Sequence, residues 1–288
     1  GSFTPSKQSR PSYALDKTPA KRCVLALCAA AAALIVLALA VGSSSAAATA
    51  PTQLMHTLPA DSSRALSRLA FGSCSHQHKG LVYLRTLHEH APDLFVMLGD
   101  IVYGDCLTDG CPELPAAWDA FFANANLQEV LPSLHITGVL DDHDYGLNDC
   151  DASNPFKDLA KDEFLRRFSA PADDPRRDRG GLYTEATLGP PGRRVQLVLL
   201  DTRYFRSPWV RSGCDEETDP TCARYVPYNE LTAAALAGGP PTMLGSEQWE
   251  WLASVLAKPA ANRFVISSVQ VLGERTGKEG WHNTPTQV

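Results

Sequence analysis

Asp100 is the first residue of the sequence with the position expected of a ligand-binding or catalytic carboxylate. It follows the apolar run Leu94–Leu98 after a single glycine. A run of this length without polar alternation is typical of a strand buried on both faces of a parallel sheet. A carboxylate at the carboxyl end of such a strand lies where open α/β sheets bind their ligands. Tyr103 and Asp105 follow in a glycine-containing loop, so several oxygens could converge there. The alternative for this stretch alone is a plain Gly-Asp turn.

A second group of polar residues follows the apolar run Leu134–Leu140. The nine residues 141–149 hold four Asp, His143 and Asn148. Carboxylates this close repel one another unless a cation or hydrogen bonds compensate. Oxygens of Asp142 and Asn148 and a nitrogen of His143 suit hard or borderline metal ions. This pattern favours a metal site over the alternative, a solvated acidic turn.

Two further strand ends carry candidate residues. Cys74 ends a short apolar strand that begins at Leu69, and its thiolate could bind a metal, act as a nucleophile or simply pack. Arg203 follows the apolar run Arg194–Leu200 and Asp201. A guanidinium matches phosphate oxygens, so Arg203 is a candidate phosphate ligand. The alternative is an ion pair that fixes Asp201.

Strands and helices alternate between these sites, which predicts an α/β fold. Residues 69–98 form a β-α-β unit in this prediction. The segment 206–243 is long, irregular and rich in Pro, Gly and acidic residues, as insertions and active-site covers often are. The remaining predicted elements are helices over Lys79–His90 and Trp118–Val130, a helix opening at Ser153, a helix capped by Ser246, and strands over Leu182–Thr187 and Arg263–Val269.

The amino-terminal third contains a targeting segment. Residues 1–22 are polar and basic and are expected to be disordered. Residues 23–41 carry no charge, and nineteen helical residues reach roughly 28 Å, about a hydrocarbon core. The basic residues before them favour a cytosolic amino terminus and an exported remainder. Residues 23–41 fit either a signal anchor or a signal peptide that is cleaved near Ala50. We predict a linker over residues 42–67 and a folded domain over residues 68–288.

Cysteine spacing agrees with an exported protein, and the charge bears on its partners. Two close pairs in polar loops, Cys106 with Cys111 and Cys214 with Cys222, are candidate disulfides, with free thiols as the alternative. Cys150 has no obvious partner. The formal net charge is -6, and no basic cluster occurs in the folded part, which argues against nucleic acid binding.

Several phrases together resemble the PhoD-like alkaline phosphatases, within the calcineurin-like metallophosphoesterase superfamily. The resemblance covers roughly residues 68 to 283 and keeps the family's order and spacing. The phrases are FGSCS at 71–75, LGDIVYGD at 98–105, LDDHDYGLND at 140–149, LDTR at 200–203, LGSEQWEWL at 244–252 and SSVQ at 267–270.

This resemblance implies a β-sandwich flanked by helices, with α/β/β/α layers, and hydrolysis of small-molecule phosphate mono- or diesters outside the cytosol. It implies an iron ion with calcium ions, and other divalent metals as alternatives. Cys74 and Tyr103 look like iron ligands, and Asp100 looks like the bridging carboxylate. Asp142 and Asn148 look like calcium-side ligands or their supports, and His143 like the histidine near the phosphoryl group.

One departure from the family concerns the end of the sequence. The family's late Gly-Asp-x-His motif does not follow Trp281, so we expect a carboxyl-terminally truncated, incomplete version of the domain. The enzyme would be membrane-anchored through residues 23–41, with an extracytoplasmic domain, or secreted. Two alternatives remain: an inactive, membrane-anchored remnant that binds metal or phosphate, and a hydrolase whose nucleophile is Cys74, with His76 or His143 as its base.

Overall fold

The computed structural model describes residues 63–214, 218–219, 222–273 and 278–285. The predicted basic segment 1–22, the apolar segment 23–41 and all but the last residues of the linker 42–67 lie outside these ranges. Within the described part of the chain, no helix combines the length and apolarity that crossing a bilayer requires.

The first sheet contains three parallel strands in the order of the sequence. These are β1 (Leu69–Gly72), β2 (Leu94–Leu98) and β3 (Ile136–Val139). Helix α1 (Tyr83–His90) connects β1 to β2, so the predicted β-α-β unit is confirmed. The carboxyl ends of all three strands therefore meet at one edge of the sheet.

The second sheet mixes strand directions. It contains β4 (Thr184–Leu188), β5 (Val195–Leu199) and β6 (Asn262–Ile266), with β5 in the middle. β4 runs antiparallel to β5, and β6 runs parallel to it. β5 and β6 thus end at the same side, where Asp201 and Ser268 follow them.

The two sheets pack face to face between outer layers of helices. Leu94 and Val96 of β2 pack against residues of the second sheet such as Leu197. Phe95 and Met97, which alternate with them, belong to the core formed with the helices. This explains why the apolar run of β2 is unbroken, since both of its faces are buried. On the far side, the second sheet packs against the last helix. The predicted α/β/β/α sandwich is confirmed.

The helices differ from the sequence prediction in four places. Two of these are helix starts: the helix predicted from Lys79 begins at Tyr83, and the helix predicted to open at Ser153 begins at Lys157. The bounds of the remaining helices are α2 (Glu113–Phe122), α3 (Ala125–Val130), α4 (Asp142–Tyr145), α5 (Lys157–Arg167) and α6 (Gly245–Leu256).

The single helix predicted over Trp118–Val130 is wrong, because Asn124 interrupts it. Asn124 has an extended backbone, and its side chain accepts hydrogen bonds from the amides of Asn126 and Leu127, which starts a new helix. The cap predicted at Ser246 is also wrong. Helix α6 begins at Gly245, whose amide is bound by the Thr242 hydroxyl at 2.9 Å.

The described residues of the segment 206–243 are irregular, as predicted, apart from a 3₁₀ turn at Tyr228–Glu230 and a β-bridge between Arg211 and Tyr225. Disulfides join Cys106 to Cys111 and Cys214 to Cys222, which are the two predicted pairs. Cys74 and Cys150 are free thiols.

Candidate metal centre

The loops after β1 and β2 are joined by backbone hydrogen bonds at the edge of the first sheet. The amide of Cys74 donates to the carbonyl of Gly99 at 3.2 Å, and the amide of Ser75 donates to the carbonyl of Asp100 at 2.7 Å. Cys74 and Asp100 both adopt left-handed backbone conformations, with φ of 61° and 50°. Such conformations are uncommon for residues other than glycine and concentrate at functional sites.

Gly99 is needed where the β2 and β3 ends approach each other. A Cβ atom at Gly99 would lie 2.4 Å from Cβ of Asp141 and 3.1 Å from Cβ of Ser268. No side chain fits in that space, and φ at Gly99 is +95°. The glycine therefore lets the ends of both sheets close around Asp100.

Asp100, Asp142 and His143 bring their ligand atoms together. One atom from each lies within 4.8 Å of the others, and both carboxylates are buried. Oδ1 of Asp100 is buried and has no hydrogen-bond partner among the described residues. Because buried polar atoms are almost always paired, an unpaired carboxylate oxygen in such a group fits a bound cation. The donor set therefore fits a metal ion.

The thiol of Cys74 and the phenol of Tyr103 reach the same carboxylate. Sγ of Cys74 lies 3.7 Å from Oδ2 of Asp100, and the Tyr103 hydroxyl lies 3.2 Å from it. Gln77 holds Tyr103 in place: its amide donates to the Tyr103 carbonyl and accepts from the Tyr103 amide, both at 2.9 Å. Gln77 was not predicted from the sequence, because its partner Tyr103 lies on a neighbouring loop.

His143 is oriented by Asp105. Nδ1 of His143 lies 2.9 and 3.0 Å from the two carboxylate oxygens of Asp105, and the amide of Gly104 donates to the His143 carbonyl. A carboxylate on one ring nitrogen fixes the tautomer and leaves the other, Nε2, for a metal or a substrate. The ring of Tyr103 packs 4.3 Å from the His143 ring.

Of the four Asp residues in the acidic stretch, Asp144 has a structural role: its side chain connects the loop after β2 to the start of α4. Its side chain is fully buried and accepts from the amide of Ile101 at 2.8 Å and that of Asp141 at 2.6 Å. Burial raises the pKa of Asp144 well above its ordinary value. Asp144 thereby fastens the loop after β2 to the start of α4.

Asn148 is the predicted ligand whose side chain has no hydrogen bond to Asp100, Asp142 or His143 among the described residues. It is exposed, and no described residue hydrogen-bonds its side chain. Its neighbour Asp149 is tied inward, because the Asp149 amide donates to Oδ2 of Asp142 at 2.7 Å. The assignment of Asn148 as a ligand stays a prediction.

Arg203 is buried behind the group, with 1% of its side chain exposed. It pairs with Asp141 and Glu279, and its Nη1 also donates to the Cys150 carbonyl. Asp201, the partner considered from the sequence, instead accepts from backbone amides, including that of Arg203. Contact between Arg203 and phosphate stays a prediction, since its donors bind protein acceptors here.

The ionisation of the group reflects burial and crowding. Burial, reinforced by the charges of Asp141 and Asp142, raises the pKa of Asp100 to about 7. Burial would also raise the pKa of Asp142, but Arg203 and the Asp149 amide outweigh it and lower that pKa. Burial would lower the pKa of His143, but Asp105 and Asp142 raise it overall. A cation at the group would relieve the repulsion at Asp100.

A second acidic group already has its counter-charges. One oxygen each from Asp142, Asp149 and Glu279 lie within 4.8 Å of one another. Asp149 accepts from Arg224 at 2.5 Å and from the Tyr225 hydroxyl at 2.7 Å, and Glu279 pairs with two arginines. Protein cations thus compensate Asp149 and Glu279, whereas the buried Oδ1 of Asp100 has no hydrogen-bond partner among the described residues.

Comparison with solved structures gives several matches. One of them, described as "Structure of PhoD", aligns with 73% of this chain and 43% of its own, at 19% sequence identity and a TM-score of 0.47. The chain therefore spans less than half the length of that protein. No protein-family model matches the chain, and no curated protein matches it.

Proposed function

We propose that this protein is a metal-dependent phosphoric ester hydrolase that acts on small-molecule phosphate mono- or diesters. One observation carries the proposal: Asp100, Asp142 and His143 converge at the strand ends, and a buried oxygen of Asp100 lacks a partner. The motif phrases that resemble the PhoD-like alkaline phosphatases support the same reaction class. Phosphoryl transfer needs neutralised charge and a positioned nucleophile, and clustered metals provide both.

In this proposal the metal ligands are Cys74, Asp100, Tyr103 and Asp142, with Asn148 as a further candidate. A phenolate and a thiolate suit a ferric ion, and carboxylate oxygens suit calcium. The bound ions would polarise the ester and lower the pKa of a bound water. Burial and the nearby carboxylate of Asp100 raise the pKa of Tyr103, so the phenol would bind an ion only by giving up its proton, and its metal affinity would depend on pH.

His143 is the proposed catalytic residue: it lies beside the ligands Asp100 and Asp142, and the proposal assigns it to the substrate rather than to the metal. Asp105 holds its Nδ1, so Nε2 is available to donate a hydrogen bond to the phosphoryl group or to the leaving oxygen. The raised pKa of His143, which Asp105 and Asp142 produce against the effect of burial, favours the protonated, donating form. This is the form that a departing alkoxide requires.

A cysteine-nucleophile hydrolase has less support. The polar groups at Sγ of Cys74 are Ser73, Asp100 and Tyr103. No histidine among the described residues hydrogen-bonds this thiol, whereas a nucleophilic cysteine needs a base within hydrogen-bond reach.

The decisive experiment is hydrolysis of a chromogenic phosphate monoester and diester. We expect turnover that a chelator abolishes and added metal restores. Asp100→Asn should lower kcat/KM by at least about 100-fold, the upper end of the loss when a supporting partner of a metal is removed. Asp162→Asn, at an exposed carboxylate of α5, is the control and should keep full activity. Turnover that survives both the chelator and Asp100→Asn would reject the proposal.

We also propose that the protein works outside the cytosol, anchored through residues 23–41 or secreted. Disulfides persist in oxidising compartments and are rare in the cytosol. The pairs Cys106–Cys111 and Cys214–Cys222 therefore support export. In protein isolated from its native host under denaturing conditions, thiol alkylation without reductant should leave these four cysteines unlabelled. Labelling of all four would contradict an exported location.

A further inference from the structure

Glu279 holds Arg203 with two hydrogen bonds inside the protein. Oε1 of Glu279 accepts from Nη1 of Arg203 at 2.8 Å, and Oε2 accepts from Nη2 at 2.6 Å. Nη2 of Arg206 lies 3.1 Å from Oε1 of the same carboxylate. Both arginine side chains are 1% exposed and that of Glu279 is 13% exposed. A paired, buried arrangement of this kind fixes the guanidinium plane.

The other edge of Arg203 faces the candidate metal centre. Nε and Nη2 donate to Oδ1 of Asp141 at 2.8 and 2.6 Å. Nη2 also lies 4.0 Å from Oδ1 of Asp142. A charge-assisted hydrogen bond has a length of about 2.8 Å, so the guanidinium stops roughly 1 Å short of bonding a proposed metal ligand.

We propose that Glu279 is a positioning residue of the metal centre: it keeps Arg203 on Asp141, so that the guanidinium does not compete with the ion for the Asp142 carboxylate. The inference rests on the metal centre proposed above. Without the Glu279 carboxylate, two donors of a buried guanidinium would lack acceptors, which is costly. Asp142 is a carboxylate within reach of that guanidinium. An Arg203–Asp142 ion pair would then compete with the metal for the same oxygen.

Three other roles for Glu279 make different predictions. It could bind the metal itself, since its carboxylate is close to those of Asp142 and Asp149. It could act only through its negative charge. It could also serve only to anchor the segment 278–285, which Trp281 fastens as well through hydrogen bonds to Ser267 and Gln270.

The test measures binding of Mn²⁺ to the metal-free full-length protein by titration calorimetry at one pH, with thermal unfolding as a second readout. Glu279→Gln keeps the shape of the side chain and removes its charge, and should raise the Kd for Mn²⁺ by about 10-fold or more, as loss of a supporting partner does. Trp281→Phe removes the bond to Ser267 but keeps Glu279, and should leave the Kd unchanged. If Glu279→Gln does not fold, Glu279→Asp, which cannot span both donors equally, replaces it.

Two double variants separate positioning from charge. Arg203→Gln in the Glu279→Gln background removes the competing guanidinium and should return the Kd to near the wild-type value. Arg206→Gln in the same background changes the net charge equally. Arg206 bonds the carbonyls of Asp149 and Cys150 rather than the Asp142 carboxylate, so it should give no such recovery.

Four results would contradict the inference, and they differ in what they exclude. Failure of Arg203→Gln to restore binding would mean that Glu279 is a ligand, and equal recovery with Arg206→Gln would mean a charge effect. Either overturns the inference. An unchanged Kd for Glu279→Gln, with wild-type protein that binds Mn²⁺, overturns the inference alone. Wild-type protein that binds no metal overturns the metal centre too.

Discussion

Asp100 combines three unusual properties in one residue. Its backbone is left-handed, one of its buried oxygens has no partner, and burial with nearby carboxylates raises its pKa to about 7. Each property is unfavourable in a metal-free fold, and a bound cation would offset the last two. At Asp100, the binding of a metal ion, the protonation of the carboxylate and the stability of the fold therefore depend on one another.

The stability of the metal-free protein should therefore fall as pH rises from about 4 to 7. The pKa of Asp100 is raised from 3.8 to about 7 on folding, so the stability that its protonated form contributes is complete below 3.8 and lost as pH passes through 7. Metal reverses the trend, because it binds the carboxylate and displaces the proton.

Thermal unfolding in a chelator, followed from pH 4.5 to 7.5, checks this. Asp100→Asn should be less sensitive to pH than the wild-type protein over this range, and Asp162→Asn should match the wild type. A wild-type profile parallel to that of Asp100→Asn would show that Asp100 does not titrate in this range.

At the residue scale, the sequence predicted the members of the site better than their supports. Cys74, Asp100 and Asp142 could be identified as candidates because each lies within three residues of the end of an apolar run. The supports Gln77 and Glu279 could not, because their partners lie 26 and 76 residues away along the chain. A predicted strand end locates a side chain at an edge but does not show which distant group will bond it.

At the scale of elements, the short loop closed by Cys106 and Cys111 fastens two parts of the site. The loop follows Asp105 directly, and the amide of Cys106 donates to the carbonyl of Gly146 beyond α4 at 2.5 Å. Both cysteines are buried. The disulfide therefore helps to hold the Asp105 loop against the helix that carries His143.

Replacing both cysteines of this pair by serine should lower the free energy of unfolding by about 2 kcal/mol, as expected for a short closed loop. It should also lower kcat, because Asp105 would hold His143 less firmly. Urea unfolding and ester hydrolysis measure the two effects. The matched variant Cys214→Ser with Cys222→Ser removes a disulfide that carries no partner of His143, and should affect kcat less. Equal losses of kcat from the two variants would argue against this role.

Some bounds of helices and strands could be predicted from the local sequence, and others could not. Strand β2 has the predicted bounds, because its apolar run is flanked by Asp93 and Gly99. The break between α2 and α3 was missed, because Asn124 occurs within a helical apolar pattern and acts through its side-chain cap. Helical periodicity does not register a cap inside a continuous pattern.

At the scale of the whole molecule, two sheets share one functional edge. Arg203 and Ser268 follow β5 and β6 of the second sheet, and both hydrogen-bond Asp141, which follows β3 of the first. The site is thus built at the junction of the two layers. The layer order was expected only from the family resemblance, because apolar runs predict buried strands without showing which sheet each strand joins.

The left-handed backbone at Cys74 and Asp100 limits how far this protein could be optimised. A non-glycine residue in that conformation costs about 1 kcal/mol or more, and glycine would remove the cost. Glycine would also remove the thiol and the carboxylate. Glycine at both positions would therefore stabilise the fold but remove the candidate ligands. A protein that keeps Cys74 and Asp100 keeps the less stable backbone conformation at this edge of the sheet.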